Sequence, residues 1–535
     1  MNTYKLAITI VIIAVLGAML SSCGRGKPSL TVPTGAIAGD LTMEPGMYKV
    51  KKGMFKSVEY AADRGTLVVP ENRSKPDSRL IALPVTRIRA TGDNPTEPIF
   101  WLAGGPGQSN MKFSRLEGLI DNHDIVLVGY RGVDGSVVLD CPEVEKAYKG
   151  VGRDLFSDAS ASNIANSFSQ CAKRLQTEGV DLDGYTMVEV VEDMETARIA
   201  LRYDRVNLLS GSYGTRVAMI YAWKYPDSLY RSVMIAVNPP GHFVWEPDIT
   251  DKQLEYDAEL CAKDPGCSGS TTDLAETMRK VVHNIPRRWL FLSIDPGKVK
   301  IITHFMLFHR GMAATVYDAF IAAKAGDPSG LALMSLMYNF LMPSALIWGE
   351  WASKAMIDYD PARDYMTEMF PPDSILGAPT SLFGGIVANY GSWPTKDIPA
   401  EFRQVQSSDV ETLLVNGSID YSTPQESIDE LLPYLSNGQL VILKEFGHTG
   451  DVWGLQPKAT IHLLSSFYDT GVADDSLYTY QPMNFHVRLG FPEIAKIGLA
   501  VIVLVITGLV ALVWLIVRRV RGRRLARQCN EVKGE

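Results

Sequence analysis

Three side chains of the kinds needed for nucleophilic hydrolysis each follow a run of branched apolar residues. Ser212 sits in Leu208-Leu209-Ser210-Gly211-Ser212-Tyr213-Gly214-Thr215, an expected strand that turns through small residues into an expected helix. Asp420 comes just after the run Glu411 to Val415, and His448 just after the run Gln439 to Leu443. A serine hydroxyl is a poor nucleophile at neutral pH until an imidazole takes its proton. A buried carboxylate must in turn orient that imidazole and stabilise its charged form. The order Ser, Asp, His along the chain, with the serine on a sharp strand-to-helix turn, suits that chemistry. The usual pattern at such a turn is GxSxG, and Ser210 stands in its first glycine position, where a small residue still fits. Upstream, Trp101-Leu102-Ala103-Gly104-Gly105-Pro106-Gly107 is a glycine turn after a strand. Its Gly105 amide and that of Tyr213 are the expected pair of donors to a developing oxyanion. His123, His304, His309 and His486 lack such placement and read as structural, and no Cys/His cluster has zinc-ligand spacing, so neither metal nor cofactor is expected.

The elements that must position these groups follow from periodicity. Thr66 to Pro70 and Leu80 to Ile88, separated by a polar turn, read as a hairpin. Ile99 to Leu102, Ile125 to Val128, Val206 to Leu209 and Ser232 to Val237 read as buried strands, alternating with the helical spacing of Val188 to Arg202 and Thr215 to Lys224. Such alternation implies a mostly parallel sheet with crossover helices. Residues 242–399 are helical in character and rich in Met and aromatics, and the strand pattern resumes at Glu411. The expected organisation is a core of residues 24–241 and 400–470, a helical cap at 242–399, and a spacer at 471–496.

The quoted motifs together resemble the prolyl iminopeptidase and tripeptidyl aminopeptidase branch of the α/β-hydrolases, from about Tyr60 to Phe467. Besides the Ser, Asp and His motifs, the likeness rests on Gly65-Thr66-Leu67-Val68-Val69-Pro70-Glu71-Asn72-Arg73, the GGPG turn, and Tyr130-Arg131-Gly132-Val133-Asp134-Gly135-Ser136. Two positions depart from that branch: Ala103 stands where a His is common before GGPG, and Gly129 replaces the aspartate of its DxRG loop. The resemblance implies an α/β-hydrolase fold with a helical cap, and an exopeptidase that acylates Ser212 with an N-terminal residue or short peptide. It also implies acidic cap residues that receive the substrate's free ammonium. Glu350, Asp358, Asp360, Asp364 and Glu368 are available, and Glu350, Asp358 and Glu368 are the candidates carried forward. The rival readings are an esterase or lipase-like hydrolase and a non-catalytic binding module on the same fold.

Composition and the chain ends bound the setting. In 535 residues, 46% hydrophobic and 21% charged, there is ample apolar side chain for a large core, which excludes a disordered chain. The net charge is -8, but the tail from Arg518 carries +5 and the leader to Cys23 carries +1, which leaves the body at -14. Nucleic acid is therefore not an expected partner. Leu6 to Leu20 after Lys5 suits a secretory signal, and Leu20-Ser21-Ser22-Cys23 resembles a lipobox with Cys23 as the lipidation site. Ile497 to Val517 is uncharged and about 31 Å long as a helix, enough for one bilayer core. Six arginines from Arg518 to Arg527 follow it, so the positive-inside rule puts the tail in the cytoplasm and the body outside it. The four cysteines of the body, Cys141, Cys171, Cys261 and Cys267, suit an oxidising compartment. Three pairings are open to them. Cys141 with Cys171 and Cys261 with Cys267 is the favoured one, because the two pairs fall in different regions of the chain.

Overall fold

The computed structural model describes residues 30–52, 56–150 and 154–531. The leader, including Cys23, lies outside them.

The apolar runs become strands β1 (Leu41–Lys52), β2 (Lys56–Pro70), β3 (Leu80–Ile88), β4 (Thr96–Leu102), β5 (His123–Val128), β6 (Val206–Gly211) and β7 (Leu229–Ile235). A short hairpin, β8 (Arg288–Trp289) and β9 (Leu292–Ser293), precedes β10 (Glu411–Gly417) and β11 (Gly438–Leu443). Nine of these strands form one sheet in the order β1-β2-β3-β5-β4-β6-β7-β10-β11. From β5 to β11 every neighbouring pair is parallel, whereas β1, β2 and β3 join antiparallel at one side. Every residue of β6 is buried, as a central strand covered on both faces requires. Two apolar clusters fill the two sides, one built on residues such as Phe100, Leu208 and Met234, the other on Leu209, Val233 and Leu413. Alternate residues of β6 thus feed opposite layers, as the pleat dictates.

β1 runs the length of β2 in register from Leu41 opposite Leu67 to Lys52 opposite Lys56. It is the outermost strand and mostly exposed, which is where Pro45 and Gly46 are tolerated. Between β7 and β10 the chain is helical apart from the short hairpin. Met334 and Met369 are fully buried there and fill its interior. Disulfides join Cys141 to Cys171 and Cys261 to Cys267, with Cα atoms 5.5 and 5.2 Å apart.

Residues 472–490 form no helix or strand, yet they are fastened to the body rather than extended from it. Gln456 donates to the Thr479 carbonyl at 2.7 Å, Arg310 to that of Gln481 at 2.8 Å, and the Met483 amide to Glu445 at 2.6 Å. The helix Phe491–Glu531 then starts six residues before the expected span at Ile497. Its stretch to Gly522 is long and apolar enough to cross a membrane, and its apolar side chains from Ile502 to Val517 are exposed.

Candidate active site

All the residues singled out for hydrolysis come from loops at one edge of the sheet, the carboxyl ends of the parallel strands β4, β6, β10 and β11. That edge is where open α/β sheets collect ligand-binding groups.

Ser212 follows β6 and caps the helix Tyr213–Lys224 with φ 52° and ψ -125°, a conformation rare for a residue with a Cβ. The strain is held by the neighbours. The Ser212 amide donates to the Ile235 carbonyl at 2.9 Å, and its own carbonyl accepts from the amide and hydroxyl of Thr215 at 2.8 and 2.7 Å. A Cβ on Gly214 would stand 2.1 Å from the Leu102 carbonyl oxygen, so only glycine fits two residues past the serine. Ser210 is accommodated by donating its hydroxyl to the Val233 carbonyl at 2.9 Å, which explains why the first glycine of the pattern is dispensable.

Asp420 is fully buried in a turn that it closes itself. One carboxylate oxygen accepts from the amides of Ser422 and Thr423 at 2.8 and 3.0 Å, and the other from the Thr423 hydroxyl at 2.7 Å. Its remaining capacity meets His448, whose Nδ1 lies 2.8 Å from Oδ2. Facing a carboxylate, Nδ1 must be the donor, so the proton sits there and Nε2 is left as the free base. The His448 amide is pinned to the Phe308 carbonyl at 2.8 Å, which ties this loop to the cap.

Ser212 and His448 open onto one cavity of about 940 Å³, with Gly104, Gly105 and Gly107 on its wall. The Ser212 hydroxyl makes no hydrogen bond to another described residue, so it is uncommitted within the fold. Such nucleophile–base contacts are often loose before substrate arrives and tighten in the complex. A Cβ on Gly104 would come within 3.2 Å of the Ser212 Cβ, which shows how closely the glycine turn approaches the serine. Apolar lining comes from Phe305, Phe308 and Trp351 of the cap and from Trp453. The charged side chains of the lining are Lys112 and Arg115.

The structure accounts for both family departures. Ala103 is braced without a histidine: its amide donates to Asn110 at 2.7 Å, and its carbonyl accepts from the Tyr130 hydroxyl at 3.0 Å. Asn110 also donates to the Trp101 and Val128 carbonyls at 2.9 and 2.8 Å, so one buried amide stitches β4 to β5. At Gly129 a Cβ would meet Pro84 at 2.6 Å and Asp134 at 2.7 Å, which leaves no room for an aspartate. Arg131 of the same loop is fully buried and gives Asp193 two hydrogen bonds, at 2.6 and 2.7 Å.

The three cap carboxylates do not line the cavity. Asp358 is buried against Arg216 at 2.9 Å, and Glu368 is half exposed and bound to Arg363. Glu350 is fully buried and lies 2.5 Å from Lys354, one turn along the helix Trp348–Ala355. Of the three, Glu350 is next to the cavity, because Ile347 and Trp351 beside it in sequence form part of the wall.

Two groups escaped the sequence reading. His309, assigned a structural role, lines the cavity, and Asp451, 3.7 Å away, lifts its pKa above the ordinary histidine value. The second is Asp257, fully buried, whose Oδ2 accepts from the hydroxyls of Tyr317 and Tyr421 while Oδ1 has no hydrogen-bond partner among the described residues. Tyr421 adjoins Asp420, so this cluster backs the Asp420 loop. Burial pushes the Asp257 carboxyl up to about 6. A carboxyl with a raised folded pKa stabilises the fold fully below its unfolded value, near 3.9, and loses that contribution as pH rises through the folded one. Asp257→Asn is therefore expected to flatten the stability profile between pH 4 and 7 by up to about 3 kcal/mol. Denaturant titrations across that range measure it, and an unchanged slope refutes the assignment.

A nine-stranded, mostly parallel sheet with crossover helices, a serine on a strained strand-to-helix turn, and Asp and His on the loops after later strands define an α/β-hydrolase. Within that class, residues 386–472, the stretch that carries Asp420 and His448, match the family model of TAP-like proteins. The chain is similar to the tripeptidyl aminopeptidase of Streptomyces lividans, 26% identical over 251 residues that cover 44% of this chain and 46% of that protein. It is also similar to the serine protease Hip1 of Mycobacterium bovis, 27% identical over 228 residues, 38% of this chain and 42% of that one. The chain thus spans under half the length of the curated relatives it matches. Among solved structures, the serine hydrolase CCSP0084 of Cycloclasticus zankles aligns over 81% of this chain and 100% of its own, at 13% identity and TM-score 0.34.

Proposed function

We infer that the chain is a membrane-tethered serine hydrolase that removes residues or short peptides from the N-termini of peptides. The observation that carries this reading is the buried 2.8 Å bond from His448 Nδ1 to Asp420, opening onto the cavity that holds Ser212. In the mechanism, His448 Nε2 takes the Ser212 proton as Oγ attacks the scissile carbonyl. Asp420 keeps the ring oriented and stabilises the imidazolium that forms. The amides of Gly105 and Tyr213 hold the oxyanion. His448 then returns the proton to the leaving amine, and water at the same nitrogen releases the acyl group from Ser212.

The similarity to an aminopeptidase supports peptides with a free amine as substrates, with Glu350, whose helix neighbour Trp351 lines the cavity, as the candidate cap carboxylate. Lys112 and Arg115 on the cavity wall suit a carboxylate on the departing side of a short peptide. The arginine-rich end of the C-terminal helix supports a cytoplasmic tail and an extracytoplasmic body. A matched pair of peptide p-nitroanilides, one with a free amine and one N-acetylated, tests the reading. The free amine is expected to be cleaved with kcat/KM at least about tenfold higher, one unpaired buried charge being worth more than 1.4 kcal/mol. Equal turnover of both, or turnover of esters alone, points to the esterase reading instead.

A further inference from the structure

The wall of the cavity around Ser212 carries Lys112, Arg115 and His309, and among the described residues none that lines it is an aspartate or glutamate. Lys112 and Arg115 make no ion pair with another described residue. His309 immediately precedes the helix Arg310–Lys324, and its ring lies against Gly450, where a Cβ would stand 2.4 Å from Cε1. The carbonyl of Phe308, one residue earlier, holds the His448 amide at 2.8 Å, and the rings of Phe308 and His448 are 5.5 Å apart. His309 is thus fixed beside the loop of His448. Asp451 orients it. That carboxylate is buried, accepts from the amides of Gly447 and Arg310 at 2.9 Å each through Oδ2, and turns Oδ1 to His309 Nδ1 at 3.7 Å. The His309 side chain is 49% exposed, and its Nε2 has no hydrogen-bond partner among the described residues. The arrangement parallels Asp420 and His448, with a carboxylate behind one ring nitrogen and the other nitrogen free.

We propose that His309 is a specificity-determining residue, whose imidazolium receives the free carboxylate at the end of the departing peptide. His448 hands its proton to the leaving amine, so the departing half of the substrate passes on the His448 side of Ser212, where His309 stands next. A carboxylate that close to the scissile bond belongs to a short departing peptide. The substrate class is therefore short peptides free at both ends. Recognition depends on pH through the ring itself. With Nδ1–H toward Asp451, a neutral ring offers Nε2 only as an acceptor, which opposes a carboxylate, whereas the imidazolium donates from both nitrogens. Asp451 and Asp420 both favour the imidazolium. The other charged groups on this cavity are His448, Lys112 and Arg115, while the Arg310 guanidinium is turned to the carbonyls of Glu445 and Gln481. This subsite deepens the aminopeptidase reading and rests on it for the direction in which the peptide lies.

The test is a binding measurement, read without turnover. Full-chain Ser212→Ala protein in detergent micelles is titrated calorimetrically, at pH 5.5 and 8.5, with a free-amine peptide ending in a carboxylate and with the same peptide ending in a carboxamide. The ratio of Kd for the amide to Kd for the acid is expected to be about fivefold larger at pH 5.5 than at pH 8.5, as a partly exposed ion pair implies. What preference remains at pH 8.5 is due to Lys112 and Arg115. In the same background His309→Gln should lower the ratio at pH 5.5 to its pH 8.5 value. His309→Lys should hold it high at both, which a fixed charge does and a purely structural side chain does not. Effects common to both peptides, from folding or from the peptide's own amine, cancel in the ratio. A ratio unmoved by His309→Gln overturns the proposal. A pH dependence that survives that substitution also overturns it, because His448 is then the group that titrates. Failure of the aminopeptidase reading looks different: the acid peptide is bound with this preference, and the wild type does not cleave it.

Discussion

Ser212→Ala is expected to lower kcat by about 10⁵-fold or more, and His448→Ala by a similar amount, while the double variant falls little further. The non-additivity is the informative part. Nucleophile and base act in one proton transfer, so removing either removes the whole step. What remains is catalysis by the oxyanion donors and by binding alone, roughly 10³- to 10⁴-fold over water. Asp420→Asn should cost about 10⁴-fold, because the amide can present the wrong group to Nδ1 and reverse the tautomer. Folding is a clean control here. The Ser212 hydroxyl makes no hydrogen bond to another described residue, so Ser212→Ala leaves Tm unchanged, and the backbone strain at φ 52° is the same for alanine. Single-turnover kinetics on a free-amine peptide, with fluorophosphonate labelling of each variant, would measure all of this. Persistent labelling or turnover in Ser212→Ala sinks the assignment.

What could be read from residues alone is instructive about where sequence information is local. Ser212, Asp420 and His448 were legible because each lies in a short motif whose requirements are met by its neighbours: small residues around the elbow, a turn that closes on its own aspartate. The pairing of the cysteines was legible for a similar reason, since both bridges are short in sequence. β1 was not, because Pro45 and Gly46 interrupt its pattern, and the strand forms only because a long partner, β2, lies beside it. Asn110, which braces the glycine turn, carries no local signature, since its value comes from carbonyls on two strands. His309 read as structural because it belongs to the helical segment between the strands, and only folding brings that segment over the loop of His448. Burial was the least legible property. Glu350 and Lys354 stand four apart on a helix, the spacing of an ordinary surface pair, and Glu350 accordingly read as a carboxylate free for substrate.

Its burial sets up the second large effect. Glu350 and Lys354 are both inaccessible to solvent and 2.5 Å apart, and among the described residues neither has a second ion pair. Desolvation raises the Glu350 pKa and lowers that of Lys354, and the attraction between the two opposes both shifts. Removing one partner strands the other, and Glu350→Gln or Lys354→Met should each destabilise the fold by about 3–5 kcal/mol. The double variant should lose less than the sum, because it buries no lone charge. The pH dependence separates the two singles. In Lys354→Met the stranded carboxyl has a folded pKa above its unfolded one, so its penalty shrinks as pH falls and the proton binds. In Glu350→Gln the stranded ammonium has a folded pKa below its unfolded one, so its penalty shrinks as pH rises. Urea unfolding at pH 5.5 and 8.5 should thus rank the two variants in opposite orders. The same helix reaches the site, since the Ile347 amide donates to the Gly107 carbonyl at 2.9 Å and joins the cap to the glycine turn. A double variant that recovers stability but raises KM for free-amine peptides, with kcat retained, would mark Glu350 as the group that receives the substrate's ammonium. Unchanged KM would leave the pair a purely structural brace between cap and core.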